Sequence, residues 1–176
     1  SEIAHCLYEL LDQEDFTAII LAQDDYFRLP PQSNMEKRHE NIAWVGPGEV
    51  RLDLMDQHIN TLKRGRGPVE KPLVYFEENR IDVEQIAAYD YDVIIVEGTY
   101  TTLLKNVNVH AFIDLDYTKT KLARLKRARD PNLEFIEQVL SIEHGIISEH
   151  KVKADVVITG DHGHKPEDIE ELAAAE

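Results

Sequence analysis

The chain contains one cysteine, Cys6, so it can form neither an intrachain disulfide nor a cysteine cluster for zinc, and nothing in it calls for an oxidising compartment. Long apolar runs are missing too. The longest, residues 17–22 and 93–96, fall far short of the ~20 residues that a bilayer crossing needs. No basic-then-apolar leader opens the sequence, so the expected location is cytoplasmic. Positive charge is scarce, with 19 Lys and Arg against 34 Asp and Glu and a formal net charge of −15. Such a balance repels phosphate backbones and anionic headgroups and argues against nucleic-acid or membrane-surface partners. There is no internal repeat and no low-complexity linker. What is present is ordinary globular usage, 43% hydrophobic and 30% charged over 176 residues, enough for a single domain, 1–176, with a buried core.

The apolar spacing of Ile3, Ala4, Leu7, Leu10 and Leu11 predicts a helix, and the β-branched run 17–22 that follows predicts a buried strand. Asp24, Asp25, Pro30, Pro31 and Asn34 then make a turn-rich segment beyond the strand's carboxyl end. Residues 49–63 read as an amphipathic helix, and 73–76 as a short strand. A second apolar run, 92–96, ends in Glu97-Gly98. Further strands are expected at 110–115 and 154–159, with helices over about 118–129 and 133–150 and a short closing helix at Pro166. Strands interleaved with helices predict an α/β fold built on a parallel sheet, and ligands in such folds bind beyond the strands' carboxyl ends.

Asp24, beside Asp25, follows the first strand, and Glu97 ends the second. Carboxylates there can hold Mg²⁺ or take a proton from a substrate hydroxyl, and isolated acids after strands can equally serve solubility and loop capping. Lys119, Lys121, Arg124, Lys126, Arg127 and Arg129 crowd six cations into eleven positions of an acidic chain. Pairs three apart share a helix face, so this stretch can either grip a polyanion such as a nucleoside triphosphate or form a solvated surface helix. Tyr26, Phe27, Trp44 and Phe76 stand where aromatics line a pocket or pack beside strands; Tyr26 and Phe76 are the contacts expected for an acceptor. His162 and His164 lack enough fixed partners for a metal site, and Cys6 falls near the apolar helix face as an expected core residue.

Gln23-Asp-Asp-Tyr-Phe27, Val93-Ile-Ile-Val-Glu-Gly98 and Arg124-Leu-Lys-Arg-Ala-Arg-Asp130 occur in an order and spacing that resemble the uridine kinase and phosphoribulokinase group of P-loop kinases. The resemblance runs from Ser1 to about Thr159. It implies a P-loop kinase fold with helices on both faces of a parallel sheet, and ATP- and Mg²⁺-dependent transfer of a γ-phosphoryl group to a small-molecule hydroxyl. By that resemblance Asp24 is the general base or the orienting acid for the acceptor hydroxyl, Glu97 supports Mg²⁺ directly or through water, and Arg129, with Arg124 or Arg127, belongs to a lid over the triphosphate within about 118–134. A homo-oligomer is a further implication.

The group's Gly-x-x-x-x-Gly-Lys-Ser/Thr loop does not occur within residues 1–176. Ser1 matches its final Ser/Thr, a phosphate and metal contact, so the expectation is that the natural protein continues upstream with the loop and its strand. The acceptor side departs as well. Trp44-Val-Gly-Pro47 replaces a Phe-Asp-His-Pro segment that contacts ribose, and Val74-Tyr-Phe-Glu-Glu-Asn79 keeps only Phe76 of a base-contacting pattern. Pro131-Asn-Leu-Glu134 stands where a second pair of lid arginines is usual. Uridine is the nearest acceptor, with another hydroxylated small molecule open. Two other readings compete: a non-catalytic nucleotide- or ligand-binding module on a kinase scaffold, and a nucleotide hydrolase.

Overall fold

The computed structural model describes residues 2–87, 89–114 and 133–159. Ser1, the basic stretch with Arg124, Arg127 and Arg129, and the expected helix at Pro166 lie outside the described residues. Helix α1 (Glu2–Gln13) leads into strand β1 (Ala18–Ala22). A 3₁₀ turn, Gln23–Tyr26, follows, and then helix α2 (Pro31–Glu40). Composition predicts a turn for this second stretch; Pro31 instead occupies the first helical turn, where its missing N–H breaks no helical bond. After 3₁₀ turns at Ile42–Trp44 and Pro47–Glu49 comes α3 (Leu52–Lys63), whose Met55, Ile59 and Leu62 are buried at spacings of four and three.

Strands β2 (Val69–Tyr75) and β3 (Arg80–Ile86) form an antiparallel hairpin. The sequence predicts only a short strand here. Asn79, at φ 47°, permits the tight return, a conformation asparagine tolerates better than most residues. Strand β4 (Val93–Glu97) pairs in parallel with β1, placing Ala22 opposite Glu97. Strand β5 (Ala111–Asp114) pairs in parallel with β6 (Val156–Thr159), and helix α4 (Leu133–Ser148) precedes β6. The expected parallel pairings are therefore present, with the hairpin as an addition.

Leu21, Tyr26, Val50, Met55, Ile59 and Tyr100 are among the residues of the main core, which lies between β1, α3 and the loop after β4. α1 sits differently. Its Ile3 and Leu7 remain 42% and 45% exposed because they face a cavity of about 910 Å³ that also touches Val93–Val96 of β4 and Ala111 and Ile113 of β5. Cys6, expected in the core, is exposed, since the helix buries little beyond Ala4.

Candidate functional site

Parallel pairing of β1 with β4 makes both strands finish at the same edge, so the turns carrying Asp24 and Glu97 become neighbours. Both residues line the cavity, together with Gly98, Thr99, Thr101 and Thr102 of the loop after β4. Asp24 is exposed and Glu97 half-buried. This is the pair expected from the two apolar runs and the acids that close them.

Gln23 locks the two turns to each other. It is 0% exposed, and its Oε1 accepts the backbone N–H of Tyr100 at 2.6 Å. Gly98, at φ 151°, lets the chain pass so close that a Cβ there would stand 2.2 Å from Gln23 Cβ. Nothing in composition or periodicity singles out Gln23; its position next to Asp24 is the available signal.

The adjacent acids have different work. Asp25 is tied to the hairpin: its Oδ2 accepts Lys71 Nζ at 2.6 Å and its Oδ1 the backbone N–H of Val74 at 3.0 Å. Lys71, with a side chain 7% exposed, also reaches Glu84 at 2.9 Å. Asp25 thus anchors β2 on the turn, which leaves Asp24 as the acid directed to the crevice. Tyr26 is corrected by the structure. Its ring is 0% exposed and its hydroxyl shares a 3.0 Å hydrogen bond with His58 Nδ1, so it is a core residue rather than an acceptor contact. Burial first, and the Asp25 charge second, push the Tyr26 phenol well above its ordinary value, while burial and Lys71 hold His58 below its own. The neighbouring Phe27 is half-buried, with the Arg38 guanidinium 5.9 Å from its ring centre. Phe76 is 44% exposed just past β2, on the hairpin turn.

A second polar cluster, which no sequence pattern announces, lies beside this edge. Glu49 is 0% exposed and receives Arg38 Nε at 2.6 Å, Arg38 Nη2 at 3.0 Å, Asn34 Nδ2 at 2.6 Å and the Gly46 N–H at 2.8 Å. Trp44 Nε1 braces Asn34 at 2.9 Å, so this tryptophan supports the cluster. Arg38 also donates to Glu143 of α4 at 3.1 Å. Contacts from α2, the loop at 41–51 and α4 are separated by up to 105 residues in sequence, which hides them from any local pattern.

Among the described residues no three of His, Cys, Asp and Glu converge as a metal-binding group. Asp24 and Glu97 could supply the one or two carboxylates typical of Mg²⁺ bound alongside phosphate oxygens and water, which suits this donor set.

Parallel strand pairs with helices between them, and acids at the carboxyl ends of β1 and β4, are consistent with an α/β P-loop kinase fold. The solved structures agree: one described as a possible uridine kinase from Bacillus stearothermophilus matches with TM-score 0.59 at 16% identity, covering 89% of this chain and 80% of that one. The phosphoribulokinase of Rhodobacter spheroides matches with TM-score 0.66 at 12% identity over 88% of this chain and 64% of that one. A uridine kinase of Lactiplantibacillus plantarum is 25% identical over 168 residues, 89% of this chain and 78% of the relative. The family model described as Phosphoribulokinase / Uridine kinase family matches residues 8–140, and the chain belongs to that family. It is accordingly a kinase-type protein acting on a small molecule. No helix among the described residues is long and apolar enough to cross a membrane.

Proposed function

We propose that the chain transfers the γ-phosphoryl group of ATP to a hydroxyl of a small molecule, in the manner of a uridine kinase. One observation carries this reading: Asp24 and Glu97 meet at the carboxyl ends of two paired parallel strands and line one cavity, while Asp25 is withdrawn from the crevice by Lys71. Asp24 orients the acceptor hydroxyl and accepts its proton as the oxygen attacks the γ-phosphorus and ADP departs. Glu97 would hold Mg²⁺, directly or through water, and the ion when bound neutralises charge spreading over the phosphate oxygens. Arg124, Arg127 and Arg129 are assigned to the triphosphate, Ser1 to the metal and phosphates, and Phe76 to the acceptor.

The test is titration calorimetry of the full-length protein with ATP and Mg²⁺, followed by product analysis with uridine and other hydroxylated acceptors. Asp24→Asn should lower kcat by at least about a hundredfold with little change in ATP affinity, because it removes a proton acceptor and no core volume. Unchanged turnover in Asp24→Asn removes that residue from the mechanism. Saturable binding without any phosphorylated product establishes the non-catalytic binding module instead, and phosphate release without an acceptor establishes a hydrolase.

A further inference from the structure

Helix α2 begins without a cap of its own. Pro30 stands at its N-cap position and Pro31 in its first turn, and neither carries a side-chain oxygen for the free N–H groups that open a helix. Those donors are met from outside. Asn79 Oδ1, on the turn of the β2–β3 hairpin, accepts the Gln32 N–H at 2.8 Å and the Ser33 N–H at 3.4 Å, and Asn79 Nδ2 donates to Ser33 Oγ at 3.3 Å. One side chain thus docks the hairpin tip on a helix start that lies 46 and 47 residues away in sequence. Forming the cap of α2 and placing the tip are a single event.

Asn79 has a second task at the same position. Its backbone N–H donates to the Phe76 carbonyl at 3.3 Å and closes the turn, and its φ of 47° lies in the left-handed region. Asparagine, aspartate and glycine adopt that conformation most readily, and only the first two carry a side-chain oxygen that can serve as the cap. Turn and cap can therefore be separated by substitution.

The hairpin is also tied nearer its root. Asp25 accepts the Val74 N–H at 3.0 Å and Lys71 Nζ at 2.6 Å, so β2 is anchored one residue from Asp24. Phe76, 44% exposed, lies between the Val74 anchor and the Asn79 anchor. The two tethers end on residues 25 and 32–33 of one short segment, the segment that carries Asp24. A side chain held between two such points has a fixed stance toward that carboxylate, whereas release of one point lets it move with the tip.

We infer that Asn79 is a positioning residue for the phosphoryl acceptor: its cap on α2 fixes the hairpin tip, and through it Phe76, relative to Asp24. The inference rests on the kinase reading above, with Phe76 as an acceptor contact, and adds the residue that sets where this contact stands. Asn79 itself is bonded to α2 and acts through Phe76.

Steady-state kinetics of the full-length protein with ATP, Mg²⁺ and uridine test this, or with the first hydroxylated acceptor found to be phosphorylated where uridine is not. Asn79→Gly keeps the turn and removes the cap; it should raise the acceptor KM about five- to tenfold, with kcat within about twofold and the KM for ATP unchanged. Asn79→Asp supplies the cap oxygen again and should return the acceptor KM to within about twofold of the unsubstituted protein. In a Phe76→Ala background the Asn79→Gly penalty on KM should vanish, because the contact that Asn79 places is already gone. Hydrogen exchange at the Gln32 and Ser33 amides should be faster in Asn79→Gly and normal in Asn79→Asp, which reads the cap without reference to catalysis. Faster exchange with an unchanged acceptor KM overturns the inference and leaves the kinase reading standing, the cap then being structural only. A parallel rise in the KM for ATP, a penalty that persists in Phe76→Ala, or no recovery in Asn79→Asp overturns it as well. Asn79 is half-buried and glycine takes its backbone conformation without strain, so the folded variant can be measured. Absence of phosphorylated product from every acceptor overturns both readings.

Discussion

Gly98→Ala should damage this protein out of proportion to the single methyl it adds. The new Cβ would lie 2.2 Å from Gln23 Cβ and 2.8 Å from Gln23 Cδ, where real contacts stay beyond 3.0 Å. The nearest clashing atom is itself a Cβ, so no rotamer of Gln23 relieves it, and the two strand ends must part by at least about 0.8 Å. Alanine at φ 151° adds about 1–3 kcal/mol of backbone strain. Parting the turns also breaks the 2.6 Å bond from the Tyr100 N–H to Gln23 Oε1, and leaving that buried donor unpaired costs about 1–3 kcal/mol. The expected loss is therefore about 2–6 kcal/mol, a large share of a typical domain's stability. Urea unfolding measures it, and hydrogen exchange at the Tyr100 amide reports the broken latch directly. Turnover should fall on the order of a hundredfold even at temperatures where the variant is folded, because Asp24 and Glu97 are displaced relative to each other. Gln23→Ala combined with Gly98→Ala should be no more stable than Gly98→Ala, since alanine keeps the offending Cβ. A loss below about 1 kcal/mol with the Tyr100 amide still protected would refute the close-approach argument.

Lys71→Met should destabilise the chain by about 3 kcal/mol in urea unfolding, because Asp25 and Glu84 lose a cation that is itself 7% exposed, and adding Asp25→Asn should recover part of that loss. Tyr100→Phe should raise stability by about 1 kcal/mol or more by deleting a buried hydroxyl that has no hydrogen-bond partner among the described residues; a lower urea midpoint would show that the hydroxyl already has a partner. His58 carries a pKa held below its ordinary 6.5 by burial and by Lys71, so the unfolded chain binds its proton more readily than the folded one. Its stability contribution is complete above pH 6.5 and is lost as pH falls through the lower folded value. The urea midpoint should accordingly decline between pH 7 and 5, and His58→Gln should flatten that decline.

The distribution of charged residues explains how much of this site is legible in the chain alone. β1 (Ala18–Ala22) and β4 (Val93–Glu97) are legible because each is written as a continuous apolar run, and the acids at or just past the run ends, Glu97 and Asp24, mark the ligand edge. Helix α2 is hidden because Pro30, Pro31 and Asn34 are turn residues everywhere except at a helix start, and its amphipathic signal is faint, with Asn34 and Arg38 as the buried side chains. The hairpin is half hidden for a related reason: β3, from Arg80 to Ile86, keeps Asp82, Val83, Glu84 and Gln85 exposed, so it lacks the alternation that announces a half-buried strand. Asp24 and Asp25 mark the limit most sharply. Adjacent and chemically identical, they are separated in role only by Lys71, 46 residues away, and by the edge that Lys71 belongs to. The same holds for Glu49 and Glu143, whose difference lies in how many donors the fold delivers to each. Sequence shows which side chains can do acid chemistry; which of them faces the crevice is decided by the tertiary partners that engage their neighbours, and in this chain those partners are the hairpin lysine and the α2 arginine.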